Sequence, residues 1–415
     1  MKKGMTWLDQ PSGWVDAKGF EAAAASCDIR NKQNDRLDLA LFVSSAPCTA
    51  AGVFTLNAVK AAPVRQCQAA LASGKAIHAI VANSGNANAC TGARGEQDAA
   101  SMQAATAKAL NVDLSSVLVC STGRIGEFLP MAKIEQGIPT AATELDGKDS
   151  SGHAAADAIL TSDTRRKVAA LEVSVGSGSY RISAVAKGAG MIQPNMATML
   201  AFVSTDAGLD TELLQSCLRK AVDQSFNAIT VDGDMSTNDT VLLLANGASG
   251  VRIDAADSAA VAAFQEALNA ICYDLAEKIV GDGEKITKVV ELRILGAADD
   301  GDAEKVARAI GNSLLVKSSW YGEDPNWGRL LDAAGYAGAR LEESKLKLHY
   351  RAAAGEEAVP VFVDGLGLAE RKPDWKAIVR RKRFIIEMDL GIGQGAFRLL
   401  ASDLTEGYVH FNKSE

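Results

Sequence analysis

Apolar runs of strand length, each stopping at a polar or glycine-rich turn, alternate along the chain with stretches of helical spacing. Leu39-Ala40-Leu41-Phe42-Val43 and Ala76-Ile77-His78-Ala79-Ile80-Val81-Ala82 read as buried strands, the second running into Asn83-Ser84-Gly85-Asn86. Val117-Leu118-Val119-Cys120 is a shorter strand that stops at Ser121-Thr122-Gly123. Tyr180 to Ala186, Ala201 to Ser204 and Val241 to Ala245 add further runs. Helical spacing covers Glu96 to Leu110, Thr211 to Gln224 and, longest of all, Ser258 to Val280. From Val289 the pattern reads strand, helix (Ala303 to Asn312), strand, turn, helix (Asn326 to Ala337) and several strands, interrupted by the charged stretch Arg371 to Arg383. A doubly wound parallel sheet needs a strict strand–helix–strand rhythm. This chain lacks one, so layered α+β architecture is the expectation.

At 415 residues, with 47% hydrophobic and 23% charged side chains, the chain can bury a large core in more than one folding unit. Lys and Arg number 43 against 51 Asp and Glu, a net charge of −8, which argues against nucleic acid as a partner. Aromatic residues, at 5%, are too sparse for a base-stacking surface. No stretch approaches the roughly 18–20 apolar residues that a membrane helix needs, so no membrane partner is expected. The opening Met1-Lys2-Lys3-Gly4-Met5-Thr6-Trp7-Leu8-Asp9 has positive charge with no apolar core after it, unlike a secretory signal. The seven cysteines are scattered without a CxxC pair, and the four histidines lie far apart. A disulfide scaffold and a zinc ribbon are both disfavoured; reduced thiols in a cytoplasmic protein are expected.

Three motifs invite functional readings and lose them on inspection. Gly391-Ile392-Gly393-Gln394-Gly395-Ala396 fits GxGxxA, but strand-like residues follow it where a dinucleotide site needs a helix, so a glycine-rich hairpin is expected. Asp232 to Asp239 resembles a calcium loop, yet Thr237 stands where the loop needs Gly, and Leu243 where it needs Glu. Its short polar side chains are expected to satisfy buried backbone groups instead. Arg380-Arg381-Lys382-Arg383 reads as a solvated edge strand. No metal site is expected from any of these.

No histidine has a catalytic motif around it, so acyl chemistry would need another base. Attention falls on Ala186-Lys187-Gly188-Ala189-Gly190-Met191-Ile192-Gln193-Pro194-Asn195-Met196-Ala197-Thr198-Met199-Leu200. It offers a lysine, two permissive glycines, a helix-breaking proline and a small residue before a hydroxyl. On spacing alone, a loop between strands, with Thr198 merely a strand residue, is the better account. Lys187 to Leu200, however, closely resembles the autocleavage and nucleophile motif of the ornithine acetyltransferase family. Further segments match in the same order: Gly52-Val53-Phe54-Thr55-Leu56-Asn57 with Lys60-Ala61-Ala62-Pro63-Val64, Asn83 to Gly92, Ser121-Thr122-Gly123-Arg124-Ile125-Gly126, Ser225 to Thr240, and Gly322 to Arg329. Together they span nearly the whole chain.

The resemblance implies self-cleavage between Ala197 and Thr198, giving an α chain (1–197) and a β chain (198–415), with a C-terminal domain from about residue 289. Thr198 would be the nucleophile, and its freed α-amine the base; such an amine has a reference pKa of about 7.7–8.0, near working pH. Thr122 and Gly123 match the oxyanion hole. Thr161, Lys187, Thr198, Glu284 and Asn412 match substrate-binding positions for N2-acetylornithine and glutamate, Glu284 suiting an ammonium. No cofactor is implied, and acetyl-CoA is left open as a second acetyl donor. The implied fold is an αββα-like sandwich resembling N-terminal-nucleophile hydrolases, with a smaller C-terminal α/β domain. The implied assembly is a cytoplasmic α2β2 heterotetramer.

The chain departs from the family pattern in several places; a Pro is usual near Arg166, and the segment between Thr161 and Lys187 is slightly long. The family has Thr where Ser162 stands, and a Thr or Ser shortly beyond the asparagine matched by Asn412, so one substrate contact is expected to be missing or replaced. The competing reading is an amidase or aminopeptidase with the same N-terminal Thr, passing its acyl group to water. A catalytically dead binding protein is a third, disfavoured because the residues needed for acyl chemistry are all present.

Overall fold

The computed structural model describes residues 4–176, 178–193 and 199–413. They divide into two compact units: Met1–Gly188 with Asn195–Asn227 and Met235–Ile279, and Ala189–Pro194 with Ala228–Asp234 and Val280–Glu415.

The first unit contains β1 (Met5–Trp7), β2 (Phe20–Ala25), β3 (Leu39–Phe54), α1 (Ala62–Ala72), β4 (Ile77–Asn86), α2 (Gly92–Leu110), β5 (Val117–Arg124), α3 (Met131–Thr143), α4 (Asp149–Ala158), β6 (Lys167–Val175), β7 (Gly178–Lys187), β8 (Leu200–Thr205) and α5 (Thr211–Asp223). After β9 (Ile229–Thr230), which belongs to the second unit, come β10 (Thr240–Ala245) and α6 (Ser258–Val280). The strands run in the order β1-β6-β7-β8-β10-β3-β4-β5, with β2 also on β3.

β3 joins two faces. Its first half pairs with β2 and β4, and its second half, from Thr49 to Phe54, with β10. The register with β4 breaks between Val43 and Cys48. Pro47 lies in that break, where its missing N–H costs the ladder nothing. Side-chain alternation then sorts the core. Ala40, Phe42, Ile80, Ala82, Leu118 and Cys120 point inward against Phe202, Leu242 and Leu244 of the other face. The Phe42 and Phe202 ring centroids are 5.0 Å apart. Leu39, Leu41, Val81 and Val119 point outward onto Met102 of α2 and Ile134 and Ile138 of α3. On the far face, Tyr180 of β7 meets Phe264 of α6. The result is an αββα sandwich whose central strands are buried on both sides. That is why they read as unbroken apolar runs.

The second unit adds β11 (Val289–Ala297), α7 (Asp300–Asn312), α8 (Leu314–Tyr321), α9 (Trp327–Gly335), β12 (Lys347–Arg351), β13 (Val359–Val363), β14 (Leu366–Gly367), α10 (Lys372–Val379), β15 (Arg383–Asp389), β16 (Gly395–Ser402) and α11 (Glu406–Phe411). Its sheet runs β14-β13-β12-β15-β11-β16-β9. Leu292, Ile294, Val306, Ile310, Trp320 and Trp375 fill one core between strands and helices.

This order corrects three expectations. The 391–396 glycines do not close a hairpin, because β11 lies between β15 and β16 and the turn passes over its end. The basic run leads into β15, which pairs with both β11 and β12 and so is no edge strand. The apolar run after α7 is helix α8 rather than a strand. Ser313 starts it by accepting the Val316 N–H on its hydroxyl, the N-cap bond that tips a short ambiguous run toward helix. No helix among the described residues is long and apolar enough to cross a membrane.

Candidate active site

β5 runs on through Ser121-Thr122-Gly123, where the sequence suggested it would stop, to Arg124, and the backbone leaves no room for a side chain at Gly123. Gly123 has φ 137°, and a Cβ on it would lie 2.3 Å from the Gly85 carbonyl carbon. The Asn83-to-Gly92 segment holds this turn from the side. Ser121 Oγ donates to Asn83 Oδ1 (2.6 Å), and Asn83 Nδ2 donates to the Asn86 carbonyl (2.9 Å). Asn86 Nδ2 reaches the Glu127 and Phe128 carbonyls, both at 3.2 Å, and the Ala87 N–H reaches Arg124 O at 2.8 Å. The asparagines are structural: each one meets backbone groups that irregular strand ends leave unpaired.

Lys187 closes β7, opposite Leu200 of β8, which stands two positions after Thr198. Its ammonium, buried with the side chain 2% exposed, donates to Thr161 Oγ1 at 2.7 Å. Thr161 and Lys187, named separately from sequence, therefore meet. Asp163 organises both. One of its oxygens accepts from Lys167 Nζ and from the Gly188 N–H, each at 2.6 Å. The other accepts the Thr161 N–H at 3.1 Å and lies 3.7 Å from Lys187 Nζ. Burial works to raise the Asp163 pKa, but the two ammoniums and these hydrogen bonds outweigh it and hold the carboxyl well below the ordinary range. The β6–β7 register, Lys167 opposite Ala186, is what brings the two lysines to one carboxylate.

Asp239, fully buried, accepts the Met199 N–H on Oδ1 at 2.9 Å. Its Oδ2 has no hydrogen-bond partner among the described residues. Burial raises this carboxyl far above its usual range, against the pull of the Met199 N–H and the Lys187 charge. The rest of the Asp232-to-Asp239 segment behaves as its composition suggested. Asp232 accepts the Met191 and Ile192 N–H groups at 2.6 and 2.7 Å, and Ser236 Oγ accepts the Asn238 N–H.

Glu284 and Asn412 belong to the second unit, where they meet: Asn412 Nδ2 donates to Glu284 Oε2 (3.3 Å) and to the Tyr408 carbonyl (3.0 Å). The Glu284 carboxylate lies over Gly190, where a Cβ would come within 2.3 Å of Oε1. Tyr408 donates its hydroxyl to Asp232 at 3.3 Å, and burial with the Asp232 and Glu284 charges raises its pKa. Glu284 is half-buried and Asn412 exposed. Ala197 and Thr198 lie outside the described residues. Sequence reasoning named neither Asp163 nor Tyr408, and read Asp232 and Asp239 only as side chains that satisfy buried backbone groups. Of these, only Asp163 had a usable signal, an acidic residue just before a strand that starts on a buried lysine.

An αββα sandwich with a tightly packed glycine near one strand end and a buried lysine–carboxylate cluster at another defines the class of the fold, a layered α+β protein. The chain belongs to the ArgJ family, whose profile matches residues 21–414. It is 45% identical over 415 residues to the arginine biosynthesis bifunctional protein ArgJ of Symbiobacterium thermophilum, covering 99% of both chains. It is 44% identical over 401 residues to the protein of that name from Geobacter sulfurreducens, covering 96% of this chain and 99% of the relative. A solved chain of Mycobacterium tuberculosis ornithine acetyltransferase in complex with ornithine is 38% identical, covering 46% of this chain and 98% of its own, with a TM-score of 0.43.

Proposed function

We propose that this protein moves an acetyl group from N2-acetylornithine to glutamate in arginine biosynthesis, after cutting itself between Ala197 and Thr198. The Thr198 hydroxyl attacks the acetyl carbonyl, its α-amine takes the proton, and ornithine leaves; glutamate then takes the acetyl group from the Thr198 ester. Thr122 and Gly123 stabilise the oxyanion in both halves. Lys187 and Thr161 line the site, and Glu284 with Asn412 receives the ornithine side chain. No cofactor takes part, and acetyl-CoA serves as an alternative donor to glutamate. The cut chains assemble as a cytoplasmic α2β2 heterotetramer.

The observation that carries this reading is the buried Lys187 cation, bonded to Thr161 and set opposite Leu200, near the start of the strand that Thr198 leads into. The test is release of ornithine from N2-acetylornithine. It should depend on glutamate, and double-reciprocal plots across a grid of both substrates should give parallel lines. Intersecting lines would mean direct transfer in a ternary complex. Release without glutamate would favour the hydrolase.

Glu284→Gln should lower kcat/KM for N2-acetylornithine by at least about tenfold, roughly 1.4 kcal/mol, because the substrate ammonium loses its charged partner. N-acetylnorleucine, which has no terminal ammonium, should lose almost nothing. An equal fall for both donors would make Glu284 a support for the Gly190 backbone and no reader of the substrate.

A further inference from the structure

Asn238, just before β10 and only 5% exposed, has a partner for every polar atom of its side chain. Nδ2 donates to the Ala87 carbonyl at 2.6 Å and to the Ser121 carbonyl at 2.8 Å, while Oδ1 accepts from Thr237 Oγ1 at 2.6 Å. Two carbonyl oxygens can be met only by a donor, so the orientation of the amide follows from its partners. Ala87 directly follows β4, and Ser121 directly precedes Thr122 in β5. One side chain thus ties together the ends of two strands.

A trans peptide is a rigid plane in which C=O and N–H point opposite ways. Holding the Ser121 carbonyl therefore fixes the direction of the Thr122 N–H and the start of the Thr122-Gly123 turn. Asn83 holds the Ser121 hydroxyl, and the Gly85 backbone abuts Gly123, so the turn is fixed from three sides. Of these, only Asn238 acts on the peptide that leads into the turn.

We propose that Asn238 is a positioning residue for acyl transfer: it aims the Thr122-Gly123 donors at the developing oxyanion without touching the substrate. This rests on reading Thr122 and Gly123 as the oxyanion hole. Such donors act only when held in place, and a displacement of about 1 Å costs on the order of 100-fold in rate.

The experiment compares Asn238→Ala with wild type. Competent sites are counted as the acetyl-Thr198 ester trapped by rapid quenching with N2-acetylornithine alone. Expected is a cut, folded protein with a full count of sites, kcat lower by about 10- to 100-fold and KM within about twofold. A kcat per competent site equal to wild type, with fewer sites, would assign Asn238 to the fold alone and overturn the proposal. So would a change confined to KM. Asn238→Ser, which keeps one hydroxyl donor, is the milder variant and should show a smaller loss of the same kind; failure of both variants to fold also overturns it. Thr122→Ala, run in parallel, separates the two levels. If it lowers kcat and Asn238→Ala does not, only the positioning role falls. If it leaves kcat unchanged while Asn238→Ala lowers it, the donor that Asn238 aims is the Thr122 N–H and not its hydroxyl.

Discussion

Thr198→Ala should leave the 415-residue chain whole and reduce transfer by on the order of 10⁴-fold or more, the loss typical of removing a nucleophile. In the cleavage proposed above, the Thr198 hydroxyl attacks the Ala197 carbonyl through a five-membered ring. The C–N bond breaks to give an ester, and water then splits the ester into an Ala197 carboxylate and a Thr198 α-amine. Denaturing mass spectrometry should therefore find two wild-type chains whose masses sum to that of the whole chain plus one water. The reaction makes its own base, which a chain whose histidines carry no catalytic motif needs. A wild-type preparation that is fully active and uncut would sink this mechanism.

Asp163→Asn should cost about 3–5 kcal/mol of stability, as removing one partner from a buried ion cluster does. The carboxylate is fully buried with Lys167 at 2.6 Å, and Lys187 lies 3.7 Å away, so an amide would remove the negative charge that both buried ammoniums face. The pH dependence carries the same sign. The folded-state pKa of Asp163 lies below its ordinary 3.8, so its contribution is complete above that pH and fades as acid carries the carboxyl through its lower folded value. Denaturant unfolding at neutral pH should separate variant from wild type, and the gap should narrow only below about pH 3.8. A difference under about 1 kcal/mol at neutral pH would mean that water reaches the cluster and screens it.

Much of the first unit was legible because its central strands are buried on both faces. Ala79 to Ala82 and Val117 to Cys120 show this as plain apolar runs, and α6 was readable end to end from its spacing. Strand order was not legible. The glycines at 391–396 look like a hairpin until β11 is known to lie between the two strands they join. The site divides the same way. Thr161 and Lys187 could be named from motifs, but Asp163 owes its role to a hairpin register that places Lys167 opposite Ala186. That contact is a product of tertiary pairing, and no local pattern announces it.

The strand order of the first unit bears on what a cut can do. β8 and β10 follow residue 198, yet they lie side by side in the middle of the sheet, flanked by β7 and β3, which precede it. Severing the peptide before Thr198 would sever none of the four ladders that run from β7 through β8 and β10 to β3 and on to β4. The two pieces would be interleaved like the fingers of clasped hands. Neither could be drawn out, exchanged for a fresh copy or replaced by a separately made partner without tearing open the sandwich. The first unit would carry a broken backbone for its working life and remain, mechanically, one sandwich.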